Sequence, residues 1–135
     1  MQVKHLDHLN LSVRDLAQTI EWYGRVFGFG VVERGIYNGA PWAILRSGEA
    51  MLCCYERPDL PMEGREAFQH VSHFALRITD RAAWEQILAA EALPTRYGSP
   101  RAWPHSTAWY VVDPTGYEIE VALWDADTVA FDAAA

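Results

Sequence analysis

The sequence predicts an α+β fold made of two βαβββ modules, and three observations predict it. HLDHLNLSVRD at residues 5–15 returns as HVSHFALRITD at 70–80, both copies following H-x-x-H-x-x-L-x-[V/I]-x-D. Each copy runs into a helix-like segment, DLAQTIEWYGRVFG (15–28) and DRAAWEQILAAEAL (80–93). Each then passes into short β-rich runs separated by turn residues. Two copies are too few, and the period too long, for a solenoid, so one supersecondary unit is duplicated.

The elements follow in order. In the first strand Leu9, Leu11 and Val13 share one face while His8, Asn10 and Ser12 share the other, the alternation of a strand covered on one side. Asp15 precedes a periodic apolar stretch and predicts a helix N-cap. FGFGVVERG, PWAILRSG and EAMLCCYE then supply three strands and complete module 1, residues 4–55. Residues 56–69, ERPDLPMEGREAFQ, are rich in proline and charge and predict a linker. Module 2, residues 70–124, opens with Phe74, Leu76 and Ile78 opposite His73, Ala75 and Arg77, and Asp80 predicts the second N-cap. PTRYG (94–98) follows the helix, and then STAWYVVDPTGYEIEVALW. DPTG between two apolar runs is a turn signal, so 107–112 and 117–124 should form a hairpin. The tail, 125–135, is expected to fray, with Phe131 available to dock.

The chain has 135 residues, half of them hydrophobic and 21% charged, which predicts one soluble globular domain spanning 1–135. The net charge of −7, with scattered basic residues, argues against nucleic acid as a partner. No apolar run approaches the roughly eighteen residues of a membrane span. MQVKHLDHLN lacks the apolar core of a secretory leader, so a cytoplasmic location is expected. Cys53 and Cys54 are adjacent and in a strand would face opposite ways, so a disulfide between them is not expected.

Strand parity also sorts the histidines. His8 and His73 occupy equivalent positions on the faces turned away from the helices, whereas His5 and His70, three residues earlier, would point the other way. On the last strand Tyr117, Ile119, Val121 and Leu123 form the packed side, and Glu118, Glu120 and Trp124 lie opposite. A single strand histidine is ordinarily structural and a single glutamate ordinarily solvated. Two repeat-related histidines with an acid on a third strand instead form a donor set suited to a catalytic divalent metal. Periodicity leaves Glu118 and Glu120 equivalent.

DHLNLSVRDLAQTIEWYGRVFGF (7–29), HFALRI (73–78) and YVVDPTGYEIEV (110–121) resemble the vicinal-oxygen-chelate superfamily: glyoxalase I, bleomycin-resistance proteins, fosfomycin-resistance enzymes and extradiol dioxygenases. The resemblance covers nearly the whole chain. It implies that the modules form a pair of half-barrels, that His8 and His73 are ligands, and that the ligand acid is Glu120, seven residues after the turn Asp. It further implies a small-molecule substrate and a homodimer.

Each subfamily comparison adds something. Glyoxalase I has a fourth ligand, a Glu, where this chain has Cys53, which implies three ligands and no glyoxalase I activity. Fosfomycin-resistance enzymes match the donor set, but their phosphonate site needs cationic residues around the last hairpin, and no Lys or Arg follows Arg101. Residues 94–121 resemble the end of the catalytic domain of extradiol dioxygenases, which implies that Tyr110 contacts a substrate oxygen. Those enzymes place an acid/base His before this hairpin; His105 is the nearby His, with Tyr97 the other residue near that place. Trp42, Trp103, Trp109 and Trp124 are available to line an apolar pocket, although the ordinary place of any one Trp is a core or dimer contact. The expected function is a divalent-metal enzyme, an extradiol-type ring-cleaving dioxygenase using Fe(II), with Mn(II), Zn(II) and Ni(II) suited to the same donors. The alternatives are a fosfomycin-resistance-like thiol transferase or hydrolase and a non-catalytic bleomycin-type binder.

Overall fold

The computed structural model describes residues 1–2, 4–60 and 73–131, and the chain divides into two compact units, Met1–Arg65 and Glu66–Ala135. In the first, β1 (Leu9–Val13) leads into α1 (Leu16–Phe27), then β2 (Gly30–Tyr37), β3 (Ala40–Ser47) and β4 (Ala50–Glu56). Strand order is β1-β4-β3-β2, with β1 parallel to β4 and the other pairs antiparallel. A parallel neighbour requires a crossover, and α1 begins it.

Asp15 caps α1 by accepting from the Gln18 N–H at 2.8 Å, which satisfies an otherwise orphaned donor. Gly28 ends the helix at φ 68°, a conformation that penalises a side chain. Leu11, Val13, Leu16, Tyr23, Val26, Leu45, Leu52 and Cys54 form the buried core of this unit.

The second unit repeats the plan. β5 (Phe74–Ile78) and α2 (Arg81–Ala90) precede β6 (Arg101–Trp103), β7 (Ser106–Val112) and β8 (Glu118–Trp124), in the order β5-β8-β7-β6. Asp80 caps α2 through the Ala83 N–H at 3.0 Å. Trp84, Trp109, Val111, Ile119 and Val121 are buried. The fold is therefore the duplicated α+β unit that the repeat predicts. Among the described residues no helix is long and apolar enough to cross a membrane.

Several details differ from the sequence reading. PTRYG forms a turn, because Tyr97 and Gly98 both adopt left-handed conformations, φ 58° and 65°, which cannot extend a strand. The Ser99 N–H closes that turn onto the Arg96 carbonyl at 3.1 Å, and β6 starts only at Arg101. β1 and β5 begin at Leu9 and Phe74, so His8 and His73 immediately precede their strands and His5 lies further outside; His70 is outside the described residues. β4 runs to Glu56, whose carboxylate accepts from the Leu16 N–H at 2.8 Å. Glu56 thus joins the first unit, and the rest of the expected linker lies outside the described residues from residue 61 onward.

The described part of the tail is pinned. The Arg77 guanidinium donates to the carbonyls of Ala126 at 3.1 Å and Asp127 at 2.5 Å, and the Asp125 N–H donates to the His105 carbonyl. Phe131 docks edge-on against Trp124 at 5.7 Å. The acceptors are backbone carbonyls, which no side-chain pattern announces.

The β7–β8 turn fixes what β8 presents. Buried Asp113 accepts at Oδ1 from the N–H groups of Thr115, Gly116 and Tyr117 at 2.8–2.9 Å. Removing that carboxylate takes the shared acceptor from three N–H groups, of which Gly116 keeps the Asp113 carbonyl at 3.0 Å. Asp113→Ala is expected to lower unfolding free energy by about 3 kcal/mol in urea titration, and Asp113→Asn, which keeps one acceptor oxygen, by clearly less.

Candidate metal centre

On β8, Ile119 and Val121 enter the core, which sends Glu118 and Glu120 to the opposite face. Glu120 is paired with Ala75 of β5 on one side and Tyr110 of β7 on the other. His73, directly before β5, brings its Nε2 within 3.0 Å of Glu120 Oε2. Both side chains keep partial solvent access, 35% for His73 and 23% for Glu120, so an incoming ion can reach the donors.

Glu118 has different neighbours. Its Oε1 accepts from the Tyr97 hydroxyl at 2.6 Å and from Arg96 Nη1 at 3.1 Å. Its Oε2 lies 3.8 Å from His73 Nδ1. The two acids that periodicity leaves equivalent are therefore unlike. Glu118 is neutralised by Arg96, whereas Glu120 faces the histidine. Sequence reasoning missed Arg96 altogether; the Tyr97-Gly98 turn was the available signal, since it carries Arg96 back to β7.

Tyr110 stands beside the pair, its ring edge-on to His73 at 6.0 Å and to Tyr97 at 5.2 Å. Its carbonyl accepts from the Arg96 N–H at 2.9 Å and its own N–H donates to Ser99 Oγ at 3.2 Å. Both backbone groups thus point away from β8, which makes Tyr110 and Glu120 a non-hydrogen-bonded pair, the closer class at about 4.5 Å between Cα atoms. Burial, and then the Glu120 charge, push the Tyr110 phenol above the ordinary tyrosine value, while a hydrogen bond from Trp103 and the Arg101 charge oppose them. Trp103 was expected as a pocket wall or a core or dimer contact, not as a hydrogen-bond partner of Tyr110.

In the first unit His8 is exposed, with Nδ1 2.8 Å from Asp7 Oδ2. Cys53 lies opposite Asn10 and Ile44, the place in this sheet that Glu120 holds in the other. Burial pushes its thiol up and the Glu33 charge adds to this, against a hydrogen bond with Tyr55. Trp42 lies over Gly35, its cross-strand partner, where a Cβ would come within 2.9 Å of the indole.

Two sequence candidates sit away from the His73–Glu120 pair. His105, at φ 66°, follows Pro104 in the β6–β7 turn, five residues and about 16 Å of extended chain from Tyr110. Trp109 is fully buried against Val121 under the Arg81 guanidinium. As the neighbour of Tyr110 in a strand it faces the core, the ordinary place of a Trp and not a pocket wall. Trp124 packs on Phe131. Among the described residues no group of three or more His, Cys, Asp or Glu is preassembled around a metal position; the pair is what the structure brings together.

The family model described as Glyoxalase/Bleomycin resistance protein/Dioxygenase superfamily matches residues 5–121. No curated protein matches the chain in sequence. Among solved structures, a glyoxylase/bleomycin resistance protein/dioxygenase domain from Frankia sp. EAN1pec superposes with a TM-score of 0.78 at 17% identity, covering 91% of this chain and 99% of that one. A bleomycin resistance determinant encoded on transposon Tn5 gives 0.66 at 26% identity, covering 91% and 100%. A fosfomycin resistance protein from Mesorhizobium loti gives 0.66 at 18% identity, covering 89% and 91%.

The hydrogen bond to the Glu118 carboxylate, followed by burial, raises the Tyr97 phenol above its ordinary value. A raised pKa means that the stabilisation is complete below about pH 10 and is lost as pH climbs through the raised value, where the donor proton leaves. Tyr97→Phe should therefore reduce the urea midpoint near neutral pH and reduce it less in strongly alkaline buffer. An equal loss at both pH values would contradict the assignment.

Proposed function

We propose that this chain, which belongs to the glyoxalase/bleomycin resistance protein/dioxygenase superfamily, binds a divalent metal on His8, His73 and Glu120 and acts as an extradiol-type ring-cleaving dioxygenase. The observation that carries the reading is the 3.0 Å approach of His73 Nε2 to Glu120 Oε2 on a solvent-reachable face. An imidazole nitrogen and a carboxylate oxygen converging in this way suit a divalent cation. Glu118, already bound by Arg96 and Tyr97, is the poorer candidate ligand. His8 joins the pair on the strength of the repeat, in which it is the counterpart of His73, and its Nδ1 contact with Asp7 leaves Nε2 as the donor.

Two imidazoles and a carboxylate leave positions for a chelating vicinal-oxygen substrate, and a divalent ion there supplies the Lewis acidity that eases loss of its protons. Fe(II) suits a ring-cleaving reaction; Mn(II), Zn(II) and Ni(II) suit the same donors. The protein's own contribution next to the pair is Tyr110. Its raised pKa keeps the phenol protonated, ready to donate to a substrate oxygen. Burial pushes the Cys53 thiol up, and in this reading the ligand set is His8, His73 and Glu120 alone. His105, at its turn, has no part in this reading, and Tyr110 and Tyr97 are the protic groups beside the pair. A small-molecule substrate and a homodimer belong to the same proposal.

The similarity to the Tn5 bleomycin resistance determinant favours one second reading, a ligand-binding protein that needs no metal. The fosfomycin-type alternative is weakened by the lack of any Lys or Arg after Arg101. Anaerobic loading with Fe(II), followed by oxygen-electrode measurement with a panel of catechols, tests the proposal. Uptake coupled to a ring-fission chromophore is expected, and Tyr110→Phe should cut it by about a hundredfold or more. Metal binding without uptake on any catechol sinks the dioxygenase reading, and absence of metal binding leaves the binder.

A further inference from the structure

A histidine that ligates through Nε2 must carry its proton on Nδ1, and that proton needs an acceptor to hold the ring in place. At His73 an acceptor stands on the Nδ1 side of the ring, at ion-pair rather than hydrogen-bond distance. Nε2 faces Glu120 at 3.0 Å, and Nδ1 faces Glu118 Oε2 at 3.8 Å. Glu118 is itself fixed, because Oε1 takes the Tyr97 hydroxyl at 2.6 Å and Arg96 Nη1 at 3.1 Å, which leaves Oε2 toward the imidazole. The side chain is only 11% exposed, so little solvent competes for that oxygen. Arg96 is anchored in turn through its backbone N–H on the Tyr110 carbonyl. His8 shows the same polarity in its own unit, Nδ1 against Asp7 at 2.8 Å.

We propose that Glu118 is a positioning residue for the metal site, selecting the Nδ1-protonated form of His73 and aiming its Nε2 at the metal position. Arg96 and Tyr97 act one step further out, holding the Glu118 carboxylate in the required rotamer. The proposal rests on the metal reading above and goes beyond it by assigning a role to the second acid of β8.

The test uses full-length protein, zinc(II) as the probe, competition with a chromophoric chelator for affinity, and nitrogen-15 NMR of histidine-labelled protein for the tautomer. Zinc-loaded wild type should show the His73 proton on Nδ1. Glu118→Ala should weaken zinc binding about ten- to a hundredfold and lose that signature. Glu118→Gln, which still offers a carbonyl oxygen, should recover most of both. The double variant Arg96→Met, Tyr97→Phe keeps the carboxylate but unfastens it, and should weaken zinc about tenfold; it carries the test should Glu118→Ala not fold. Unchanged affinity and an unchanged tautomer in these variants overturn the proposal. His73→Ala and Glu120→Ala separate the two levels. If they lose zinc while the Glu118 variants do not, only the positioning role falls. If they bind zinc like wild type, the metal reading falls with it.

Discussion

The site depends on the two-residue period of β8. Ile119 and Val121 must enter the core, so Glu118 and Glu120 must leave it, and a slip of one residue would bury both acids. The register is set at the strand's start by Asp113, which gathers three backbone N–H groups of the preceding turn on one oxygen. The same carboxylate that shapes the turn therefore places Glu120 between Ala75 and Tyr110 and within reach of His73. Burial of two aliphatic side chains is what makes an otherwise expensive pair of carboxylates stay together on one face.

Two like charges two residues apart on a strand repel, and the structure deals with each differently. Arg96 and Tyr97 neutralise and bind Glu118, while Glu120 is left to the imidazole, the Tyr110 phenol and any incoming cation. The division depends on a turn next to β7 with two consecutive left-handed residues, one of them a tyrosine. It costs conformational energy and delivers the Arg96 side chain and the Tyr97 hydroxyl to the same oxygen.

Much of this was legible in the sequence, for identifiable reasons. Duplication exposed the βαβββ unit, and the caps Asp15 and Asp80 and the DPTG hairpin stand where local chemistry put them. Parity brought Glu118, Glu120 and His73 to one face, although His73 and His8 precede their strands rather than lie in them. What stayed hidden depends on tertiary contacts. Nothing local links Arg96 to Glu118, or Arg77 to the carbonyls of Ala126 and Asp127. Trp109 is a different case: strand parity with Tyr110 already assigns it to the core, its ordinary place, over the alternative of a pocket wall.

X-ray absorption at the metal edge of Fe(II)- or Zn(II)-loaded protein tests the central claim most directly. The account predicts a shell of nitrogen and oxygen donors only, at about 2.0–2.2 Å for Zn(II). It predicts two imidazoles by their multiple-scattering features, falling to one in His73→Ala. A sulfur shell at about 2.3 Å, or an imidazole count that His73→Ala leaves unchanged, would contradict it.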